Sequence, residues 1–291
     1  MDKFCIVVNK DRDERLKLTN RVKEFLIAQD KQFSIRMESV TEPEDFSQIP
    51  KDTECVIVLG GDGTMIRAAN RLKELSVPML GINTGTLGYL TGAEVSETEN
   101  SLKRLCVGDF RVENRMMLDV FVDGRYSDTV LNEVAITRSG VSRVISVAVY
   151  VNGVLLDVIS GDGLLISTPT GSTGYNMSAG GAIVKSEAEL IMITPLCPHS
   201  LSSRPVIVSA EDEIALKIVQ DRRSQDVEVT ATYDGREAVK VKTEEQVTIR
   251  CSKYVTKLVK LDDRSFFEVL RSKLGSGRRE LEKINNNMER M

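Results

Sequence analysis

Apolar and polar positions follow two different periods along the chain, and the change from one to the other divides it. Residues 4–9 form a short apolar run, and within 11–30 the positions Leu16, Val22, Phe25 and Leu26 recur at helical spacing. Residues 33–37 read as a weaker second strand, and 42–52 as an acidic, proline-containing loop expected to be exposed. Four apolar residues, 56–59, then run into GGDGT at 60–64, followed by a helical pattern over 65–75 and a strand over 79–82 entered through Pro78. The glycine-dense stretch 81–92 sits where a strand's carboxyl end opens toward a crevice, and a helix over 97–107 follows. Strand and helix alternate, which predicts a parallel sheet with crossover helices.

After Phe110 the pattern shortens to runs with strand character at 118–122, 129–137, 144–151, 154–159 and 164–167. Asp123-Gly124 and Asn152-Gly153 fall between such runs and supply the positive φ angles of two-residue hairpins. Further strands are expected at 206–209, 213–219, 227–233 and 246–250, with another tight turn at Asp234-Gly235. The expected fold is therefore an α/β N-terminal domain with a parallel sheet, followed by an antiparallel β-rich domain. An amphipathic helix over 265–274 is expected to pack back on the first domain, and the polar segment 278–291 reads as a frayed helix or tail. The domain boundaries expected are 1–111 plus 253–291, and 112–252.

With 291 residues and 41% hydrophobic content, the chain can bury a real core without staples. A formal charge of −4, with both signs mixed along the chain, argues against a nucleic-acid or membrane-surface partner and for small molecules. The five cysteines are scattered with no C-x-x-C pair, a reduced, cytosolic pattern. The apolar run at the N-terminus is too short for a signal peptide, and no stretch approaches the roughly 18 apolar residues of a membrane span. A cytoplasmic protein is expected.

Three stretches carry candidate chemistry. In GGDGT a strand stops at glycines and restarts as a helix, which points backbone N–H groups and a helix dipole at an anion. Phosphate is the natural occupant, so Gly60, Gly61, Gly63 and Thr64 are candidate phosphate-binding residues. An acid beside phosphate is repelled unless it takes a proton, holds a metal or binds a hydroxyl, and Asp62 is such an acid. The plainer reading is a tight turn in which Asp62 caps the helix. Neither a Walker A loop nor a G-x-G-x-x-G fingerprint occurs, which disfavours a P-loop ATPase and an ordinary Rossmann dehydrogenase.

The second stretch, GDGLLISTPTGSTGYNMSAGGA at 161–182, is rich in hydroxyls, amides and an aromatic face and poor in charge. It suits a neutral heterocycle and sugar, the alternative being a flexible surface loop. The third, Asn132-Glu133, lies inside a strand pattern, so the two side chains should face opposite ways; an amide and a carboxylate suit a base edge and a ribose diol. His199 is the only histidine, which leaves no zinc cluster, and it reads as a loop histidine making hydrogen bonds. Arg67, Arg143 and Arg236 are solvated charges unless their loops converge on phosphate.

Taken together, GGDGT, Asn132-Glu133 and the long glycine and tyrosine loop resemble the NAD kinase family, from residue 4 to about residue 274, including 83–90 and CPHSLSSRPVIV at 197–208. GGDGT alone is shared with lipid kinases and, more distantly, phosphofructokinases. The resemblance implies transfer of a phosphate from ATP, with Mg²⁺ or another divalent cation, to the adenosine 2′-hydroxyl of NAD. It casts Asp62 as the general base and implies substrate contacts from Gly63, Arg67, Asn132, Glu133, Arg143, Asp162, Thr173, Gly174, Tyr175, Ser178 and Arg236. No metal-ligand cluster is visible in the sequence, and the resemblance implies a homodimer or homotetramer assembled through the β-rich domain. A lipid kinase would instead need an apolar acyl groove, and a dinucleotide sensor would have no use for Asp62.

Overall fold

The computed structural model describes residues 1–10, 12–38, 46–85, 88–139, 144–219, 228–236, 239–261 and 264–275. Two units emerge: residues 1–68, 77–113 and 258–291, and residues 69–76 and 114–257.

The first unit is built on strands β1 (Lys3–Asn9), β2 (Gln32–Glu38), β3 (Cys55–Leu59) and β4 (Pro78–Asn83), in the order β2-β1-β3-β4 and all parallel. Helix α1 (Lys17–Ala28) links the first two strands, and α2 (Asp62–Leu72) leaves the end of β3. The two-residue β5 (Ala93–Glu94) pairs with β4 ahead of α3 (Thr98–Val107). Strand β3 is buried throughout, as a continuous apolar run in a parallel sheet must be. Ile6, Ile57, Leu59, Leu80 and Ile82 of the sheet pack with Leu18, Val22 and Leu26 of α1 and Leu102 and Leu105 of α3.

The second unit is antiparallel. Its strands are β6 (Arg111–Val122), β7 (Arg125–Val130), β8 (Glu133–Arg138), β9 (Ile145–Val151), β10 (Val154–Gly161) and β11 (Gly163–Ser167). After the single-turn helix α4 (Tyr175–Ser178) come β12 (Leu190–Leu196), β13 (Val206–Ser209), β14 (Ile214–Val219), β15 (Val229–Tyr233), β16 (Val239–Val241) and β17 (Gln246–Lys260). One sheet runs β13-β12-β11-β8-β15-β16, and another path runs β10-β9-β14-β17, with β6 pairing both β17 and β7. Inward aliphatic side chains from both sheets form one core, including Val134, Ile136, Val147, Val149, Leu164, Ile166, Ile193 and Ile214. Helix α5 (Phe266–Leu274) ends the described chain, capped by Ser265, whose hydroxyl accepts the Glu268 N–H.

Several expectations need correction. The strand expected over 129–137 is two strands, β7 and β8, interrupted at Leu131 and Asn132, because a carboxylate from elsewhere takes the backbone N–H groups there. Strand β17 reaches Lys260, ten residues beyond the pattern that predicted it. Within the loop expected to be exposed, Phe46 and Ile49 are buried, while 42–45 lie outside the described residues. Strand β12 was not foreseen at all. The helix expected over 11–30 starts only at Lys17, after a 3₁₀ turn over Glu14–Leu16. The segment 278–291 and Arg143 lie outside the described residues.

Candidate active site

In the first unit, β3 delivers the chain to the N-terminus of α2. The helix begins at Asp62, and the Thr64 and Met65 N–H groups both return to the Gly61 carbonyl. The earliest N–H groups of such a helix have no carbonyl four residues back to bond, so they face outward with the positive end of the dipole. They open into a cavity of about 500 Å³ lined by Asn9, Arg12, Gly61, Asp62, Gly63, Thr64, Arg67, Asn83, Thr84, Gly85, Gly88 and Lys273. A β-carbon at Gly61 would meet nothing, so the backbone is bare on the cavity side.

The Asp62 carboxylate is held rather than loose: it accepts the Tyr89 N–H at 2.8 Å and the Leu90 N–H at 3.0 Å. Gly88 makes this possible, since a β-carbon there would overlap both the Asp62 carboxyl and the Thr91 hydroxyl. Thr64 is buried, and its hydroxyl accepts from the Asn9 amide at 2.9 Å. Gly60, expected among the phosphate-binding residues, instead donates its N–H to Ile82 within the sheet and is not among the cavity's lining residues. Arg67 lines the cavity, with its Nε 2.7 Å from an oxygen of the fully buried Glu38.

The second unit brings Asn132, Glu133, Gly174 and Tyr175 together. Asn132 lies in the bend before β8, not in a strand, and Glu133 opens β8. The organiser is Asp234. Its carboxylate accepts the backbone N–H groups of Leu131 (2.8 Å), Asn132 (2.7 Å) and Glu133 (3.1 Å), and the Asn70 side-chain amide at 2.7 Å. From the other side the Asn132 carbonyl accepts the Thr168 N–H, and the Thr168 hydroxyl donates to the Leu131 carbonyl. A β-carbon at Gly174 would stand 3.2 Å from Glu133 Oε2 and 3.4 Å from Asn132 Nδ2, so only glycine leaves those groups uncrowded.

This group is polar: among the described residues Asn70 Oδ1, Asn132 Oδ1, Glu133 Oε2, Ser167 Oγ and Thr170 Oγ1 are buried with no hydrogen-bond partner in the protein, oxygens that a ligand or water would satisfy. Burial pushes the Glu133 carboxyl up to about 7, and the neighbouring Asp234 charge pushes the same way. Asp234 is also raised, by burial, against the pull of the donors around it.

The stretch 168–178 is not a flexible surface loop. It folds into a 3₁₀ turn over Thr170–Thr173 followed by α4, with Thr168, Thr170, Ser172 and Asn176 buried. Tyr175 and Ser178 are exposed on it, and Thr173 is half-buried. One expected site residue stands apart from this group. Asp162 lies at the far end of β11, paired with Arg138 at 2.8 Å, which holds its carboxyl below the usual range. Glu133 pairs with Ser167 and Thr137 with Gly163, so the two ends are separated by about 14 Å of strand. Arg236 is engaged by the Tyr233 and Thr129 carbonyls and by Asp128 at 3.0 Å. Asp234, Asn70, Arg12 and Lys273 were missed, since only tertiary folding brings each to its place. His199 is exposed, with its backbone N–H on the Ser160 carbonyl.

The sequence has two family-model matches, the ATP-NAD kinase N-terminal domain over residues 40–110 and the ATP-NAD kinase C-terminal domain over 131–261. A protein named NAD kinase from Lachnoclostridium phytofermentans is 44% identical over 283 residues, 94% of this chain and 99% of that one. The chain belongs to the NAD kinase family. Another NAD kinase, from Lachnospira eligens, is 39% identical over 94% of this chain and 100% of its own length. Among solved structures, an NAD kinase from Archaeoglobus fulgidus in complex with ATP superposes with a TM-score of 0.75 at 27% identity, covering 92% of this chain and 99% of that one. Yeast NADH kinase complexed with NADH gives a TM-score of 0.82 over 95% of this chain and 88% of that one; at 19% identity it speaks for the shared fold. The chain is thus a kinase of the class that transfers phosphate to an alcohol group, which matches the α/β unit and the antiparallel β unit described above.

Proposed function

We propose that the chain transfers the γ-phosphate of ATP to the adenosine 2′-hydroxyl of NAD, with Asp62 as general base. The observation that carries this reading is the Asp62 carboxylate, fixed by two backbone N–H groups at the mouth of a helix N-terminus and among the cations of the cavity. The relative solved with ATP supports that donor, and the relatives named NAD kinase support NAD as acceptor. A secondary hydroxyl is a poor nucleophile, so the base accepts its proton as the oxygen closes on phosphorus, while the N–H groups of Gly61 and Gly63 face the charge that spreads over the transferring oxygens.

On this reading the 1–111 plus 253–291 domain receives the donor and the 112–252 domain the dinucleotide. Asn132 and Glu133 then meet the adenosine portion, their unpartnered oxygens taking hydroxyl and amine donors, with Tyr175 offering its exposed ring. Thr173, Gly174, Ser178, Asp162 and Arg236 are proposed to line the dinucleotide site. Among the described residues no three Asp, Glu, His or Cys side chains gather as a metal site. The divalent cation is proposed to enter with ATP, on its phosphate oxygens, as part of the substrate. Among the described residues no helix is long and apolar enough to cross a membrane.

The test is a coupled assay with NAD, ATP and Mg²⁺, read by a dehydrogenase that accepts only NADP, run beside Asp62→Asn. The variant should bind NAD and lose on the order of 10² to 10⁴ in rate. If the parent makes no NADP while still binding NAD, the proposed reaction is wrong; if the variant keeps full activity, the base is.

A further inference from the structure

The cavity around the helix N-terminus receives one cation from an element that its motif does not contain. Lys273 stands in the last turn of α5, more than two hundred residues beyond GGDGT, and lines the same cavity as Gly61, Asp62, Gly63 and Thr64. Its ammonium lies 4.4 Å from the centroid of the Tyr89 ring, and the backbone N–H of that same Tyr89 holds Asp62. The Phe266 ring of α5 rests 6.5 Å from Tyr89, so the helix and the tyrosine are in contact at both ends of α5. Among the described residues Lys273 has no carboxylate partner, whereas Arg67, another cation of the cavity, is paired with the buried Glu38.

We propose that Lys273 is a donor-binding residue, its ammonium contacting the polyphosphate tail of the phosphoryl donor and its stem steered there by the Tyr89 ring. The inference rests on the reading that this cavity takes the donor. An aromatic face attracts a cation, but weakly where water can reach it, so an exposed ammonium is free to exchange the ring for a phosphate oxygen. A lysine acts here as a point charge on a flexible stem, which suits a tail whose oxygens are not presented as a fixed fork. The alternative is that Lys273 only seats α5 on Tyr89, and charge distinguishes the two.

Lys273→Met keeps an unbranched apolar stem able to lie on the ring and removes the charge; Lys273→Arg keeps the charge. In steady-state kinetics Lys273→Met should raise the KM for ATP about five- to tenfold and leave the KM for NAD within about twofold, with an unchanged thermal midpoint. Lys273→Arg should recover most of the loss. Raising ionic strength should weaken ATP use by the parent more steeply than by Lys273→Met. Calorimetry with inorganic tripolyphosphate should show the same loss of affinity in Lys273→Met. The proposal is overturned if Lys273→Met matches the parent in ATP KM and tripolyphosphate affinity, if the NAD KM rises equally, or if the parent does not bind tripolyphosphate. A parent that makes no NADP yet binds tripolyphosphate through Lys273 would sink the reaction and leave this assignment standing.

Discussion

Glu133 and Asp234 put two carboxyl groups into one hydrogen-bonded corner, where burial raises both and the Asp234 charge raises Glu133 further. A carboxyl raised in the folded chain binds its proton more tightly there than when unfolded. Its contribution to stability is therefore whole below the ordinary value of 4.5 and is lost as pH rises to about 7. Such a shift corresponds to on the order of 3 kcal/mol. Urea unfolding at pH 5 and pH 8 should show Glu133→Gln losing less stability than the parent over that interval; identical pH profiles would refute the assignment of this dependence to Glu133. Asp62 was legible because strand, glycines and helix are contiguous. Asp234 was not, since its three N–H partners lie about a hundred residues earlier and its sequence surroundings announce only a turn.

At the scale of elements, α5 is short and has no buried residue among its nine, so packing gives it little support and its cap matters. The Ser265–Glu268 capping box satisfies donors at its start, and removing a cap of this kind costs roughly 1 kcal/mol. Ser265→Ala should speed hydrogen exchange through α5 and raise the KM for ATP in the direction of Lys273→Met but by less. A faster-exchanging helix with an unaltered ATP KM would separate α5 from donor binding. The patterns that fixed single elements were the contiguous ones: the apolar β3, the helical α3 and the Asp-Gly and Asn-Gly hairpins. The interruption between β7 and β8 was not legible because what breaks the ladder is a carboxylate supplied by the turn after β15, about a hundred residues later. The hydroxyl-rich stretch read as a loop became a compact turn because its own Ser172 and Asn176 side chains satisfy the local backbone carbonyls of Val184 and Ala182.

For the whole molecule, strand β10 ends its strand order and carries Val154, Leu155, Leu156 and Val158 with between 41% and 71% of their surface exposed. A terminal strand with a row of open apolar side chains is a site for pairing with another copy, and we propose the homo-oligomer forms there. Light scattering should give a mass above that of one chain, and Leu156→Lys with Val158→Lys should lower it; a monomeric parent would refute this. The sequence by itself determined the two kinds of sheet and the place of the strand-to-helix turn at GGDGT, because periodicity and turn chemistry act over a few neighbouring residues. Only the tertiary structure decided that Asp234 braces Asn132 and Glu133, that Asp162 stands about 14 Å of strand away from them, and that Lys273 enters the cavity at Asp62. These depend on strand register and on which distant segment supplies a charge or a donor, and no local pattern encodes either.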